Sequence, residues 1–196
     1  MPAYNAGATI EQVFARIPAD ARTRIRRYVV VNDGSIDDTA AALARLQNEV
    51  SNLVVLTHST NRGYREAEKT LLGLALQDGA DAGIVLHSDG QYSPEKIIEL
   101  LDPFDRDSAD LVQGCWAVGR WGPARRYAAY KFIANKALTA IENWAFGMNL
   151  AEYHSGYMLY SRKTLETIPS KSHRSWQLFP KKTGRGEFCV KPTSFT

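Results

Sequence analysis

Five short apolar runs alternate with helical patterns along this 196-residue chain, and that alternation limits the folds open to it. The runs are YVVVND (28–33), NLVVLTH (52–58), AGIVLHSD (82–89), ADLVQG (109–114) and SGYMLYS (155–161). Short β-branched runs closed by polar residues are what strands buried on both faces look like. Between them, DDTAAALARLQNEV (37–50) opens with Asp37 and Asp38 where a cap and a first-turn acid belong. REAEKTLLGLALQDG (65–79) is amphipathic and stops at Gly79, and SPEKIIELLDPF (93–104) starts with Ser93 as cap and Pro94 in the first turn. Strand and helix in turn predict an α/β domain, a mostly parallel sheet with helices on both faces.

Such sheets bind ligands at the carboxyl ends of their strands. The first run ends in Asn32, Asp33, Gly34 and Ser35; the third ends in His87, Ser88, Asp89, Gly90 and Gln91. Asp33 suits the base or ribose of a nucleotide, with Gly34 letting the backbone come close; an Asx turn that caps the next helix is the other reading. If the third run stays extended, His87, Asp89 and Gln91 share one side of it. A carboxylate, an imidazole and an amide suit Mg²⁺ or Mn²⁺, and such an ion would stabilise a departing diphosphate. A strand closed by His87 and a plain Asp89-Gly90 turn is the alternative.

Charge is unevenly spread. Residues 1–119 hold 11 Lys/Arg against 17 Asp/Glu, and residues 120–196 hold 13 against 4. A basic C-terminal part suits anionic lipid, a phosphorylated acceptor or nucleic acid, or is a solvated face. ARRYAAYKFIANKALTAIENWAF (124–146) is basic, aromatic and amphipathic. It fits a membrane surface, or a core-packing helix with its Lys and Arg in water. No run is long enough to span a bilayer, and Cys115 and Cys189 have no metal-site spacing, so a reducing cytosol is expected.

Five blocks, PAYNAGATI, VVVNDGSIDDT, NRGYREAEKTLLGLAL, IVLHSDGQYSPEKIIELL and EYHSGYMLYSRKTLETIP, stand in the order and spacing of family 2 glycosyltransferases. The group resembled is the dolichyl- and polyprenyl-phosphate sugar transferases. The resemblance covers residues 1–169 and leaves a basic tail, 170–196, expected to be loosely ordered. It implies a GT-A fold, a nucleotide-diphosphate sugar donor, a divalent cation (Mg²⁺ or Mn²⁺), inversion at the sugar carbon, and a polyprenyl-phosphate or sugar acceptor, not nucleic acid. It also implies a cytoplasmic site of action, peripheral at the inner face of the membrane.

By that resemblance, Pro2, Ala3, Tyr4 and Asn5 line the nucleotide pocket, Asp33 sits against the base beside Gly34, and Arg62 and Gly63 lie in a closing loop. Asp89 is the chief metal ligand, assisted by Gln91, with His87 where the family often has an acid. Arg120, Arg125 or Arg126 replaces phosphate-facing arginines whose usual places hold Met158 and Cys115-Trp116. A lipid phosphate needs no base to deprotonate it; a sugar hydroxyl does, and Glu152 is then the candidate, unless it only orders its loop. Relatives begin with an apolar strand running into PAYN, so the first strand is expected to be missing, leaving its neighbours unpaired. A catalytically impaired remnant that binds only nucleotide or a partner is the alternative function, and an unrelated nucleotide-binding regulatory domain is a third.

Overall fold

The computed structural model describes residues 1–114, 129–146, 155–167 and 187–190. The strands are β1 (Pro2–Ala3), β2 (Tyr28–Asp33), β3 (Leu53–His58), β4 (Ala82–Val85), β5 (Leu111–Gly114), β6 (Met158–Ser161) and β7 (Glu187–Val190). The helices are α1 (Ile10–Ala15), α2 (Ala19–Arg24), α3 (Thr39–Glu49), α4 (Tyr64–Gln77), α5 (Ile97–Asp105), α6 (Ala129–Phe146) and α7 (Arg162–Thr167). A 3-10 turn over Pro94–Lys96 leads into α5, as the proline predicts.

The strand pattern sorts residues between two faces. Val30, Ile84 and Leu159 pack with Val13 and Phe14 of α1, Leu43 and Leu46 of α3 and Leu100 of α5. Their neighbours Val29 and Val31 pack with Ala67 and Leu71 of α4, and Val85 and Tyr160 with Leu72 of α4 and Leu165 of α7. Period-two alternation therefore holds, with helices on both faces of the sheet.

The sheet is mostly parallel as expected, with one antiparallel strand: β6 runs antiparallel to both β4 and β5, while β1–β2–β3 and β5–β7 are parallel. Two expectations need correction. The first strand is present as a stub: Pro2 and Ala3 pair in parallel with Val31 and Asn32, Met1 N donates to Val29 O (2.6 Å) and Val31 N to Met1 O (3.0 Å). Within the tail, Glu187–Val190 is not loose but pairs with Leu111–Gly114.

Because β1 is so short, the described strands form two ladders, β1–β2–β3 and β4–β6–β5–β7. Between the start of β2 and the free edge of β4 lies a cavity of about 330 Å³, lined by Met1, Tyr28, Val29, Leu72, Ile84 and Leu101 among others. Apolar side chains make up most of its wall.

Candidate active site

At the other end of the same strands the loops are stitched together. The chain leaving β1 lies along the turn after β2. Asn5 N donates to Ser35 Oγ (3.0 Å) and Ile36 N to Asn5 Oδ1 (3.0 Å). Ala6 N donates to Thr39 Oγ1 (2.8 Å) and Gly7 N to Asp37 Oδ2 (3.1 Å). A Cβ on Gly7 would stand 2.9 Å from the backbone of Asp38 and Thr39, so only glycine allows this contact. Asp38 occupies the cap position of α3 without a side-chain cap bond, and it is Asp37 that accepts from Thr39 N (3.0 Å). The turn after β4 joins the same assembly: Ser88 Oγ donates to Pro2 O (2.9 Å) and Thr9 Oγ1 to Ser88 O (2.7 Å).

The loop between β3 and α4 closes over β2. Arg62 N donates to Asp33 Oδ1 (3.0 Å) and Gly63 N to Asp33 Oδ2 (2.8 Å). His58 Nδ1 lies 2.6 Å from Asp33 Oδ1. Burial drives the Asp33 pKa up, but the two amides and His58 outweigh it and hold the carboxyl below its ordinary range. Gly34 (φ +67°) lets this loop approach, since a Cβ there would fall 2.4 Å from Asn61 N. The carboxylate expected against a base thus spends most of its hydrogen bonds on the loop while still facing the pocket.

That pocket holds about 260 Å³ and is lined by Pro2, Ala3, Tyr4, Asp33, Asn61, Gly63, Tyr64, Ala67, His87, Ser88 and Asp89. Five of the residues expected at the nucleotide, Pro2, Ala3, Tyr4, Asp33 and Gly63, line it together with His87 and Asp89. Asn5, Gly34, Arg62 and Gln91 do not line it; they shape the loops that do. Glu152, Arg120, Arg125 and Arg126 lie outside the described residues.

The segment expected to run extended through Asp89 instead leaves the strand at Val85 and turns at Ser88–Gly90, with Gly90 at φ +73°. Gln91 contributes its backbone N–H to Asp89 Oδ1 (3.0 Å) and its side chain is exposed. His87 sits between two aromatic rings, 5.0 Å from Tyr64 and 4.9 Å from Tyr92 centre to centre, and Tyr92 continues to Tyr157 at 5.5 Å. Its Nε2 lies 3.1 Å from Tyr64 Oη. Burial lowers the His87 pKa and raises that of Tyr64, so a neutral imidazole faces a protonated phenol. Gly156 passes directly over this ring; a Cβ there would stand 2.3 Å from His87 Nε2. Among the described residues no three His, Cys, Asp or Glu side chains converge on a metal position. Asp89, exposed on the rim, offers a single carboxylate, a donor of the right chemistry for a hard divalent ion that takes its other oxygens from a bound diphosphate.

The sequence pattern described as Glycosyl transferase family 2 matches residues 1–168. The chain belongs to that family. A UDP-N-acetylglucosamine–dolichyl-phosphate N-acetylglucosaminyltransferase of Methanococcus voltae is 24% identical over 180 residues, covering 86% of this chain and 70% of its own. The low-salt glycan biosynthesis hexosyltransferase Agl6 of Haloferax volcanii is 25% identical over 173 residues, 88% of this chain and 40% of its own. Among solved structures, the Mycobacterium tuberculosis glucosyl-3-phosphoglycerate synthase superposes with a TM-score of 0.57 at 23% identity, over 82% of this chain. This chain spans 55% of the length of that structure. The same enzyme has been crystallised with Mn²⁺, UDP and glucosyl-3-phosphoglycerate. At this identity the match shows the fold alone, that of a GT-A glycosyltransferase.

Sequence reasoning overlooked His58, Tyr64 and Tyr92. A signal for His58 was present: the second run ends in a histidine, and in two parallel strands of equal length it falls beside Asp33. Nothing local marks Tyr92, whose Oη accepts from Gly156 N (2.8 Å), 64 residues away.

Proposed function

We propose that this chain transfers a sugar from a nucleoside-diphosphate sugar to a polyprenyl-phosphate acceptor. The observation that carries the reading is the convergence of the loops after β1, β2, β3 and β4 on one pocket, with Asp33 inside and Asp89 on its rim. The Methanococcus voltae relative, by its name, uses UDP-N-acetylglucosamine and dolichyl phosphate, which supports both the donor class and the acceptor class. In this reading Pro2, Ala3, Tyr4 and Asp33 bind the nucleoside, and Asn5, Gly34, Arg62 and Gly63 hold the walls. Asp89 would hold Mg²⁺ or Mn²⁺, which would supply charge neutralisation for a leaving diphosphate. Gln91 assists through its backbone N–H on Asp89. His87, tied to Tyr64, acts as a wall of the pocket before it acts as a ligand.

A lipid phosphate is already an anion, so the reaction needs no strong base; Glu152 is required only for a hydroxyl acceptor. Arg120, Arg125 and Arg126 are proposed to meet the acceptor phosphate. No helix among the described residues is long and apolar enough to cross a membrane. Instead α6 exposes Leu138, Ile141 and Trp144, one apolar row of the kind that lies along a lipid surface, which supports a lipid-linked acceptor.

Calorimetric titration with UDP and GDP, with and without Mn²⁺, tests the reading. Metal-dependent binding that Asp89→Ala abolishes is expected. Mn²⁺-dependent affinity unchanged in that variant removes Asp89 from the metal site, and no binding of either nucleotide by a cooperatively melting protein overturns the function.

A further inference from the structure

His58 is buried, is not part of the pocket lining, and has both ring nitrogens engaged. Cross-strand register places it beside Asp33, at the carboxyl ends of β3 and β2. Nδ1 meets Asp33 Oδ1 at 2.6 Å, and because an ionised carboxylate only accepts, Nδ1 is the donor. Nε2 lies 3.2 Å from Thr70 Oγ1 on α4, and Thr70 is itself anchored to the helix backbone, with Oγ1 3.0 Å from Glu66 O. The ring is thus clamped between a strand end and a helix.

What the clamp holds is the loop that His58 itself begins. Ser59 to Gly63 leave His58, pass over Gly34 and return through the Arg62 and Gly63 amides to the same carboxylate. Gly63 is then the cap residue of α4, whose next residue, Tyr64, is the partner of His87. We propose that His58 is a positioning residue for the pocket: by fixing the Asp33 carboxylate it sets the 59–63 loop, and through the loop the placement of Asn61, Gly63 and Tyr64 along the pocket wall. Without the imidazole, Oδ1 keeps only Arg62 N and Oδ2 only Gly63 N, so the carboxylate is bonded to nothing but the loop it is meant to fix, and the loop's one other tie is Asn61, which accepts from Gly63 N (2.8 Å).

Only the consequence for nucleotide affinity rests on the proposed function; the loop itself can be read without ligand. His58→Leu removes both ring contacts, whereas His58→Asn keeps a donor within reach of Asp33 Oδ1. Amide hydrogen exchange over residues 59–64 is expected to quicken about tenfold in His58→Leu, with residues 111–114 unchanged, and to return near the wild-type rate in His58→Asn. UDP affinity in the presence of Mn²⁺ should fall about tenfold in the first variant and recover in the second. If His58→Leu does not fold, Thr70→Val releases the ring on one side only and should quicken loop exchange about threefold. Equal exchange across residues 59–64 in wild type and His58→Leu, or in wild type and Thr70→Val where Leu is not tolerated, overturns the proposal. A wild type that binds no UDP but shows the predicted exchange leaves His58 in its role and overturns the nucleotide reading instead.

Discussion

Strands β2 and β4 have two very different ends. At the carboxyl ends every loop is tied to another: β1 to the turn after β2, the turn after β4 to Pro2, and the 59–63 loop to Asp33. At the amino ends the same strands stand apart around the cavity of about 330 Å³. Two glycines mark the contrast. Gly34 has backbone within 2.4 Å of where a Cβ would lie; Gly83, facing Ala75, Leu72 and Leu165, has nothing nearer than 3.8 Å. Polar side chains with fixed partners specify the site end to within an ångström. Around the cavity at the other end the polar ties, such as Arg24 to Asp105 and Arg27 to Asp78, lie at the exposed surface, and the interior contacts are apolar and without direction.

Asp33→Ala should show the largest effect, since it strips three donors of their acceptor inside the protein. A loss of about 3 kcal/mol in urea unfolding is expected, with UDP binding lost altogether. The same carboxylate sets an acid limb. Its folded pKa lies below the unfolded value, so its contribution is present above the ordinary carboxylate pKa of about 3.8 and disappears as pH falls through the folded pKa. Asp33→Asn should therefore be less stable than wild type at neutral pH, with the difference shrinking below about pH 4 in parallel unfolding curves. Gly34→Ala should cost about 2 kcal/mol, from the positive φ and the collision with the 60–61 backbone. Gly83→Ala should have the opposite sign, a gain of about 0.5 kcal/mol in the same assay, because an alanine fits the strand and stiffens the unfolded chain. Equal effects at Gly34 and Gly83 would erase the distinction between the two ends.

Much of this was legible in the sequence. The apolar runs at 28–33 and 52–58 give β2 and β3 almost residue for residue, because strands buried on both faces have little else in them. Asp33, Gly34 and Asp89 could be singled out because polar groups at strand ends are local in sequence, whereas the PAYN loop was marked only by the family resemblance. What could not be read depended on distant partners. Asp89 and Gln91 looked like two ligands on an extended segment, but Gly90 turns the chain between them. His87 looked like a metal ligand until Tyr64, Tyr92 and Gly156 were found around it. The direction of β6 was likewise hidden, since a parallel and an antiparallel buried strand have the same composition.

The placement of β6 also orders the assembly of the molecule in time. The loops around Asp33 are closed by contacts about thirty residues apart, such as Asn5 to Ser35 and Gly63 to Asp33. The opposite wall waits for β6: Gly156 reaches Tyr92 across 64 residues, and Ser155 reaches Gly114 across 41. Longer closures are slower, so the contacts around Asp33 can form before those that β6 brings. β6, the strand between β4 and β5, brings closures of 41 and 64 residues to a site whose Asp33 loop needs only about thirty.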